Sequence, residues 1–341
     1  MGDHATNDEI KIEECLQDSK WDTFVSGTPQ NNVFSKSPWI RSICEVTDLS
    51  FRLITCVKGG ETVGGCPLFL RKRKTGLDVV VPPLTQYSTP CLIFRPVAEK
   101  YRNEQHVLAV TKAIAEYIGK TFDRATLICH PNLLDIRSFL WSKWASSARY
   151  TYLLDLTDMR RVKEQSSRDI ARQFRKAEKA GFYVKQSGQF EEFVSMWKAS
   201  LSRQSATIPL TEGSLVRLLH VLTDKGCRSE LHLAYDSAGD LVAGNVFLID
   251  GDQAFYWLGG ARPDYLSSGA NQLVFWQVLD HLHQERVRRV DFVGADHPSI
   301  ARYKSTFGGD LCPHFVVAKT SSKTRGLDLL SRVTGLRRLL R

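Results

Sequence analysis

The chain has 341 residues, of which 43% are hydrophobic and 24% charged, and it carries a net charge of +9. This length and composition are typical of a soluble globular protein with two domains of roughly 150 residues each. No apolar run approaches the roughly 18 residues of a membrane-spanning helix, and the acidic start of the chain is unlike a secretory signal. We therefore expect a cytoplasmic protein.

The eight cysteines contain no CxxC pair, which argues against a metal site of that spacing and against a disulfide framework. We expect no bound metal and no catalytic cysteine. Most of the positive charge lies in the last 23 residues, so a general nucleic-acid-binding surface is not indicated.

The first half of the chain predicts several strands and one long helix. The helix spans residues 104–120, where Val107, Val110, Ile114 and Tyr117 recur with helical spacing. The predicted strands are 51–57, 62–70, 125–130 and, less clearly because of its prolines, 77–84.

The second half alternates strands and helices less regularly. Helices are predicted at 167–180, 190–204, 212–224 and 272–287. Strands are predicted at 149–157, 230–236, 241–249, 253–261 and 288–295, and the segment 182–188 follows the first helix. Adjacent strands beside helices predict an α+β, or mixed α/β, fold and not an all-parallel sheet.

The segment from Gln253 to Gly309 predicts a ligand pocket. A turn of small residues between a strand and a helix exposes backbone N–H groups, and the helix dipole adds to their attraction for anions. The turn residues are Ser268, Gly269, Ala270 and Asn271. Ser268 or Asn271 has the alternative role of a simple N-cap.

The helix at 167–180 has a basic face. Arg168, Arg172, Arg175 and Lys179 fall on one side at about 100° per residue. This face predicts either a cationic wall for phosphate groups or a solvated surface paired with nearby acids.

Three residues downstream are candidates for catalysis. Asp291 lies on an apolar strand, where it either pairs with Arg262 or Lys304 or acts as a base. His297 is suited to proton transfer or to a loop hydrogen bond. Lys304 either stabilises an oxyanion or phosphate or is a surface lysine.

The last segment, 319–341, predicts a basic amphipathic helix. Its apolar face carries Leu329, Val333, Leu336 and Leu340. The helix either docks on the protein or contacts an anionic membrane surface.

Several motifs, in their order, resemble one family over residues 20–318. They are Trp21-Asp-x-Phe24, Ser37-Pro-Trp39, Pro82-Pro83-Leu84 with Tyr87, Arg172-x-x-Arg175-Lys176-Ala-Glu178-x-x-Gly181, Ala270-Asn271-Gln-Leu273, Asp291-Phe292 and Tyr303-Lys304-x-x-Phe307-Gly308-Gly309. The chain thus resembles the Fem-type (FemAB-like, acetyltransferase-6) branch of the GNAT acyltransferase superfamily. Leu266 and Asn271 depart from the phosphate-binding loop of acetyltransferases, which Gly269 fits.

The resemblance implies two tandem GNAT-like domains, each with a mixed central sheet flanked by helices. We expect them at 21–147 and 148–318, between a flexible acidic segment 1–20 and the basic helix 319–341. The second domain would be the acyltransferase domain, with ligands bound there and at the cleft between the domains.

The resemblance also implies a function and a set of site residues. We expect an N-acyltransferase whose amine acceptor attacks an activated donor directly, with acyl-CoA as co-substrate and no permanently bound cofactor. The expected site residues are Lys304, Asp291 and His297 for catalysis; Ser268, Gly269, Ala270, Asn271, Arg172 and Arg175 for the donor; and Tyr303, Phe307, Trp257, Arg262 and Tyr87 for the substrate.

The acceptor is expected to be a small-molecule or lipid-linked amine of cell-envelope or polysaccharide metabolism. One alternative is an aminoacyl-tRNA-dependent transferase acting on a peptidoglycan-type precursor. The other is a non-catalytic scaffold or membrane-associated module that uses the C-terminal helix at the inner face of the membrane.

Overall fold

The computed structural model describes residues 9–74, 76–93, 100–203 and 208–321. The chain divides into one unit of residues 1–148 and 314–341 and a second unit of residues 149–313. Each unit has its own hydrophobic core. None of the described helices is long and apolar enough to span a membrane.

The first unit contains helices and a mixed sheet. Its elements are β1 (Lys11–Glu14), α1 (Asp18–Ser26), α2 (Ser37–Val46), β2 (Ser50–Lys58), β3 (Glu61–Arg73), β4 (Gly76–Val80), β5 (Cys91–Leu92), α3 (Lys100–Thr121), β6 (Arg124–Ile128), α4 (Arg137–Trp141) and, from His314 onward, β13 (Asp310–Thr320). The strand order is β1-β2-β3-β4-β6-β13, with β5 beside β3. All neighbours are antiparallel except β4 and β6.

The core of this unit lies between α3 and the sheet. The predicted helix face is correct: Val107, Val110 and Ile114 are buried, and Tyr117 packs against the same core. Burial of each such side chain stabilises the fold by about 1.5–3 kcal/mol. Lys319 and Thr320, predicted to begin the C-terminal helix, instead end β13, and the rest of that segment, from residue 322, lies outside the described residues.

The second unit follows the predicted order of elements closely. It contains β7 (Ala145–Asp155, from Arg149 onward), α5 (Met159–Gln165), α6 (Arg168–Lys179), β8 (Tyr183–Ser187), α7 (Phe190–Arg203), α8 (Glu212–Asp224), β9 (Arg228–Tyr235), β10 (Leu241–Asp250), β11 (Gln253–Ala261), α9 (Ala270–Gln284), β12 (Arg289–Asp291) and α10 (Pro298–Ser305). The strand order is β7-β12-β11-β10-β9-β8. Only β11 and β12 are parallel neighbours.

Both units thus combine a mixed sheet with flanking helices, which confirms the predicted α+β (mixed α/β) class. Helix α9 is central to the second core, where Phe275 packs against Phe292 and Phe307 with tilted rings at centroid distances of 5.2 and 4.2 Å. Ser167 is the N-cap of helix α6, where its hydroxyl accepts from Ile170 N, and the helix is followed by Gly181 at a φ of +76°.

Candidate active site

A pocket of about 410 Å³ lies in the second unit. Its walls come from consecutive residues of β11, from α7, from the first turn of α9 and from α10. Residues 256–261 of β11 line the pocket along their whole length, so its long axis follows an extended strand.

The pocket lies where two parallel strands diverge. β11 and β12 pair only from Gln253–Arg289 to Phe255–Asp291, although β11 continues to Ala261. After Asp291 the chain turns through Val293 and Gly294, whose φ angles are +56° and +88°. This turn carries the chain away from β11 and leaves space for a ligand between the two segments.

Lys304 fixes the turn that opens this space. Its ammonium donates hydrogen bonds to the carbonyl oxygens of Phe292, Val293 at 3.3 Å and Gly294 at 2.7 Å. Lys304 is only 7% exposed, which excludes the alternative prediction that it is a surface lysine. Burial lowers the pKa of Lys304 to about 8, against the opposing effect of the nearby carboxylates.

An ammonium group has three N–H donors, and three carbonyl groups surround this one. Because these carbonyl groups use its donors, Lys304 acts on a ligand mainly through its positive charge and by fixing the turn, and not mainly through a direct hydrogen bond. Its nitrogen also lies 5.6 Å from the ring centroid of Tyr256, which brings the charge to the pocket wall.

Asp291 is buried behind the pocket. It accepts hydrogen bonds from Thr151 Oγ1 at 2.6 Å and Val293 N at 2.8 Å. These contacts attach the turn to β7. Of the two expected partners, Lys304 donates to the carbonyl groups while the nearby Asp291 carboxylate acts to raise its pKa, and Arg262 lies 3.8 Å from Asp264.

A chain of hydroxyl and amide groups forms one side of the pocket. Asn271 Nδ2 donates to the Tyr303 hydroxyl at 2.8 Å, and that hydroxyl is hydrogen-bonded to the hydroxyl of Tyr256. Tyr256 in turn donates to Asn245 Oδ1 at 3.1 Å. Burial raises the pKa of both tyrosines above the ordinary value, so both hydroxyls are neutral donors near pH 7.

The chain of hydrogen bonds is closely packed and incompletely satisfied. A Cβ atom at Gly259 would lie 1.9 Å from the Tyr256 hydroxyl, so only glycine fits there. Among the described residues, Asn245 Nδ2 and Asn271 Oδ1 are buried and have no hydrogen-bond partner. A buried polar group without a hydrogen-bond partner destabilises the folded protein unless a ligand or water molecule binds it.

The predicted anion-binding turn is less open than expected. Ser268 N donates to Tyr265 O at 3.0 Å, and Ser268 Oγ accepts from Ala270 N at 3.1 Å. These amides are therefore used within the turn. Gly269, at a φ of +89°, packs against the backbone of α6 at Gln173. Asn271, two residues further on, reaches the pocket.

Two more predicted residues lie at or near the pocket. Trp257 lines it, as does Tyr303. His297 is exposed and its Nδ1 lies 2.9 Å from the hydroxyl of Ser299, which is part of the pocket wall.

The remaining predicted residues do not line this pocket. Phe307 is fully buried in the core, and Tyr87 is buried in the first unit against Phe34 and His130. Arg172 pairs with Asp169. Arg175 borders a separate cavity of about 240 Å³ beside α6. Arg262 stacks over Tyr265 at 5.3 Å.

Sequence analysis missed several residues of the site. Asn245 is the one polar side chain within the apolar run 241–249, and an amide in a buried strand is a signal of a polar contact. Tyr256 is not among the predicted site residues, although its neighbour Trp257 is. Trp197 and Ser200 of α7 also line the pocket, but a residue on an amphipathic helix carries no such signal.

Comparison with known proteins identifies the kind of domain that carries this pocket. Residues 164–305 match the family model described as an acetyltransferase (GNAT) domain. Every residue that lines the pocket falls within this segment. No curated protein sequence matches the chain significantly.

Solved structures share the fold across nearly the whole chain. FemX is 13% identical, with a TM-score of 0.66 over 89% of this chain and 96% of its own. L-PGS from Bacillus licheniformis is 10% identical, with a TM-score of 0.55 over 94% and 98%. A tandem GNAT protein from the clavulanic acid biosynthesis pathway is 10% identical, with a TM-score of 0.52 over 92% and 98%.

Residues 164–305 therefore match the GNAT acetyltransferase domain family, within a fold that the chain shares with these solved structures. The family match and the shared tandem fold support the resemblance to the Fem-type branch that the motifs indicated.

Proposed function

We propose that this protein is an N-acyltransferase that uses acyl-CoA as the donor and a primary amine as the acceptor. The observation that carries the proposal is the pocket between β11 and the turn after β12, with the Asn271–Tyr303–Tyr256 chain of hydrogen bonds in its wall. Six consecutive strand residues line the pocket, which suits an extended ligand that contains amide groups, such as the pantetheine arm of CoA.

The groups that line the pocket suit direct attack by the amine. No cysteine or histidine of the described residues lines it, so a covalent acyl-enzyme is not expected. The charge of Lys304 would stabilise the negative oxygen that develops in the tetrahedral intermediate, and the Tyr303 hydroxyl would donate to that oxygen once its proton turns away from Tyr256. The amine nitrogen bonds to the acyl carbon, the carbon–sulfur bond breaks, and CoA leaves as the thiolate, which takes up a proton from solvent to give the thiol.

Our proposal assigns the acceptance of the amine proton to His297. Its imidazole is exposed near the mouth of the pocket and contacts Ser299 of the wall. Asp291 is assigned a positioning role, because it accepts hydrogen bonds from Thr151 of β7 and from Val293 of the turn after β12.

The test is transfer from acetyl-CoA and longer acyl-CoAs to a panel of primary amines, including amino sugars and amino acids. Thiol release is followed by absorbance, and mass spectrometry identifies the amide. We expect thiol release that matches amide formation. Absence of both, with every donor and acceptor and also with charged tRNA, would contradict acyl transfer.

The matched variants are Tyr303→Phe and Tyr265→Phe, each of which removes one hydrogen-bonded hydroxyl from the second unit. Tyr265 donates to Asp236 at 2.7 Å and does not line the pocket. We expect Tyr303→Phe to lower kcat by about 10²-fold, as for loss of an oxyanion donor, and Tyr265→Phe to leave kcat within about twofold. Equal effects of the two variants would remove Tyr303 from the mechanism.

A second candidate function is aminoacyl transfer from charged tRNA to a peptidoglycan-type or other lipid-linked acceptor. It is favoured by the basic surface of α5 and α6, where all eight lysine and arginine side chains between residues 159 and 179 are exposed against three acidic residues. Lys176 joins this surface to the turn before α9, since its ammonium donates to Ser267 O at 2.7 Å.

Salt dependence distinguishes the two donors. Binding of tRNA to this surface would weaken steeply as the salt concentration rises. Each of the substitutions Arg168→Glu and Arg175→Glu would reduce the slope of log binding constant against log salt concentration by about one unit. Acyl-CoA binding in the pocket would be little changed by the same variants. Transfer from acyl-CoA that persists at high salt would support the first proposal against the second.

A further inference from the structure

Three side chains with metal-binding atoms meet on the second unit, away from the pocket. Glu230 and His232 come from β9, and His281 comes from the last turn of α9. One ligand atom of each lies within 4.8 Å of the other two. Two of the three residues are at least nine-tenths buried, at 4% and 7% exposure.

Two of the three distances between these atoms match the separation of two ligands on a tetrahedrally coordinated ion. Glu230 Oε2 lies 3.1 Å from His232 Nε2 and 3.3 Å from His281 Nε2. Two ligands bound to zinc at about 2.0–2.1 Å with tetrahedral angles are separated by about 3.3 Å. Although His281 Nε2 is buried and close to the carboxylate, it makes no hydrogen bond with a described residue. In the tautomer that carries its proton on Nδ1, this nitrogen presents a lone pair to a cation.

The surroundings orient the carboxylates, and two carboxylates against one guanidinium leave a net negative charge. Arg228 binds the other oxygen of Glu230 and also one oxygen of Glu285, which leaves Glu285 Oε1 3.9 Å from His281 Nε2. Such outer contacts commonly fix metal ligands in place. The C-terminus of α9 adds the negative end of the helix dipole. Glu285 or a water molecule can supply a fourth ligand.

We propose that Glu230, His232 and His281 form a binding site for a divalent first-row metal ion, most suitably Zn²⁺. Two imidazole nitrogens and one carboxylate oxygen are ligands that zinc favours. The ion would join β9 to the end of α9, the helix whose first turn carries Asn271. It would act as a structural ion, and it is independent of the acyl-transfer proposal.

The test is direct metal binding by the full-length protein. Stripped protein is titrated with Co²⁺, which gives intense visible absorption bands in a tetrahedral site, and then with Zn²⁺ in competition. We expect one equivalent of Co²⁺ with a tetrahedral spectrum, displacement by Zn²⁺, and a higher thermal midpoint that a chelator reverses.

The variants are His232→Asn and His281→Asn, with His220→Asn as the matched control. His220 is an exposed histidine of α8 outside the cluster. We expect loss of at least about tenfold in Co²⁺ affinity for the first two variants and no change for the third. Lack of saturable one-equivalent binding by the wild-type protein would overturn the proposal, as would equal affinity in all three variants.

Discussion

The contact between α6 and the start of α9 at Gly269 can be tested with a pair of glycine substitutions. An ideal Cβ at Gly269 would lie 2.1 Å from Gln173 O, and the φ of this residue is +89°. Gly226 has nearly the same φ, +82°, but a Cβ there would meet no atom within 4 Å. The two positions therefore share the backbone cost of alanine and differ only in the steric contact.

The expected magnitudes follow from this comparison. A left-handed conformation costs a residue with a Cβ about 1–2 kcal/mol, which is the whole effect expected for Gly226→Ala. In Gly269→Ala the backbone of α6 must also move by about 1 Å or more, and overpacking of this kind adds about 1–3 kcal/mol. We therefore expect Gly269→Ala to reduce the free energy of unfolding by roughly 2–5 kcal/mol.

The assay is urea-induced unfolding of the two variants and the wild-type protein, followed by circular dichroism. The movement of α9 should also displace Asn271, so Gly269→Ala should raise KM for the donor while Gly226→Ala leaves it unchanged. If both variants lose the same stability, α6 does not pack against the turn as closely as the structure indicates, and the reasoning fails.

Three further predictions concern titration and proton transfer. Burial lowers the pKa of Lys304 from 10.5 to about 8 in the folded protein. Between these pH values the unfolded chain therefore binds one proton more than the folded protein. The wild-type protein should gain roughly 3 kcal/mol of unfolding free energy relative to Lys304→Met as pH rises through that window; a constant difference would refute this. Burial raises the pKa of Tyr303 above 10.0, so wild-type stability should fall above pH 10, and Tyr303→Phe should reduce that slope by about 1.4 kcal/mol per pH unit, measured by urea unfolding. His297→Asn should lower kcat/KM by about tenfold or more, with partial rescue by added imidazole; an unchanged rate would remove His297 from the mechanism.

Local sequence patterns predicted most helices and strands of the second unit. The apolar spacing of α9 and the capping signals of α6 depend on residues a few positions apart, so they are visible in one sequence. The short helix α2 and the strand β13 were missed. β13 pairs with β6, far away in the chain, and no local pattern reports such a partner.

The candidate site was predicted in part for the same reason. The segment from Gln253 to Gly309 was correctly placed at a pocket, since a turn between a strand and a helix is a local feature. Phe307 was expected to contact substrate but packs between Phe275 and Phe292 in the core. An aromatic residue that follows a short helix has the same local sequence pattern whether it lies in the core or in a ligand pocket.

The sequence by itself determined the mixed α/β class, the order of the main elements and the motifs of the Fem-type branch. These follow from backbone periodicity and from residues close together along the chain. Only the tertiary structure decided that Lys304 holds the carbonyl groups after β12, that Tyr256 and Asn245 extend the site, and that Glu230 and His232 meet His281. The chemistry of a side chain depends on its burial and its partners, and those partners come from segments that folding alone brings together.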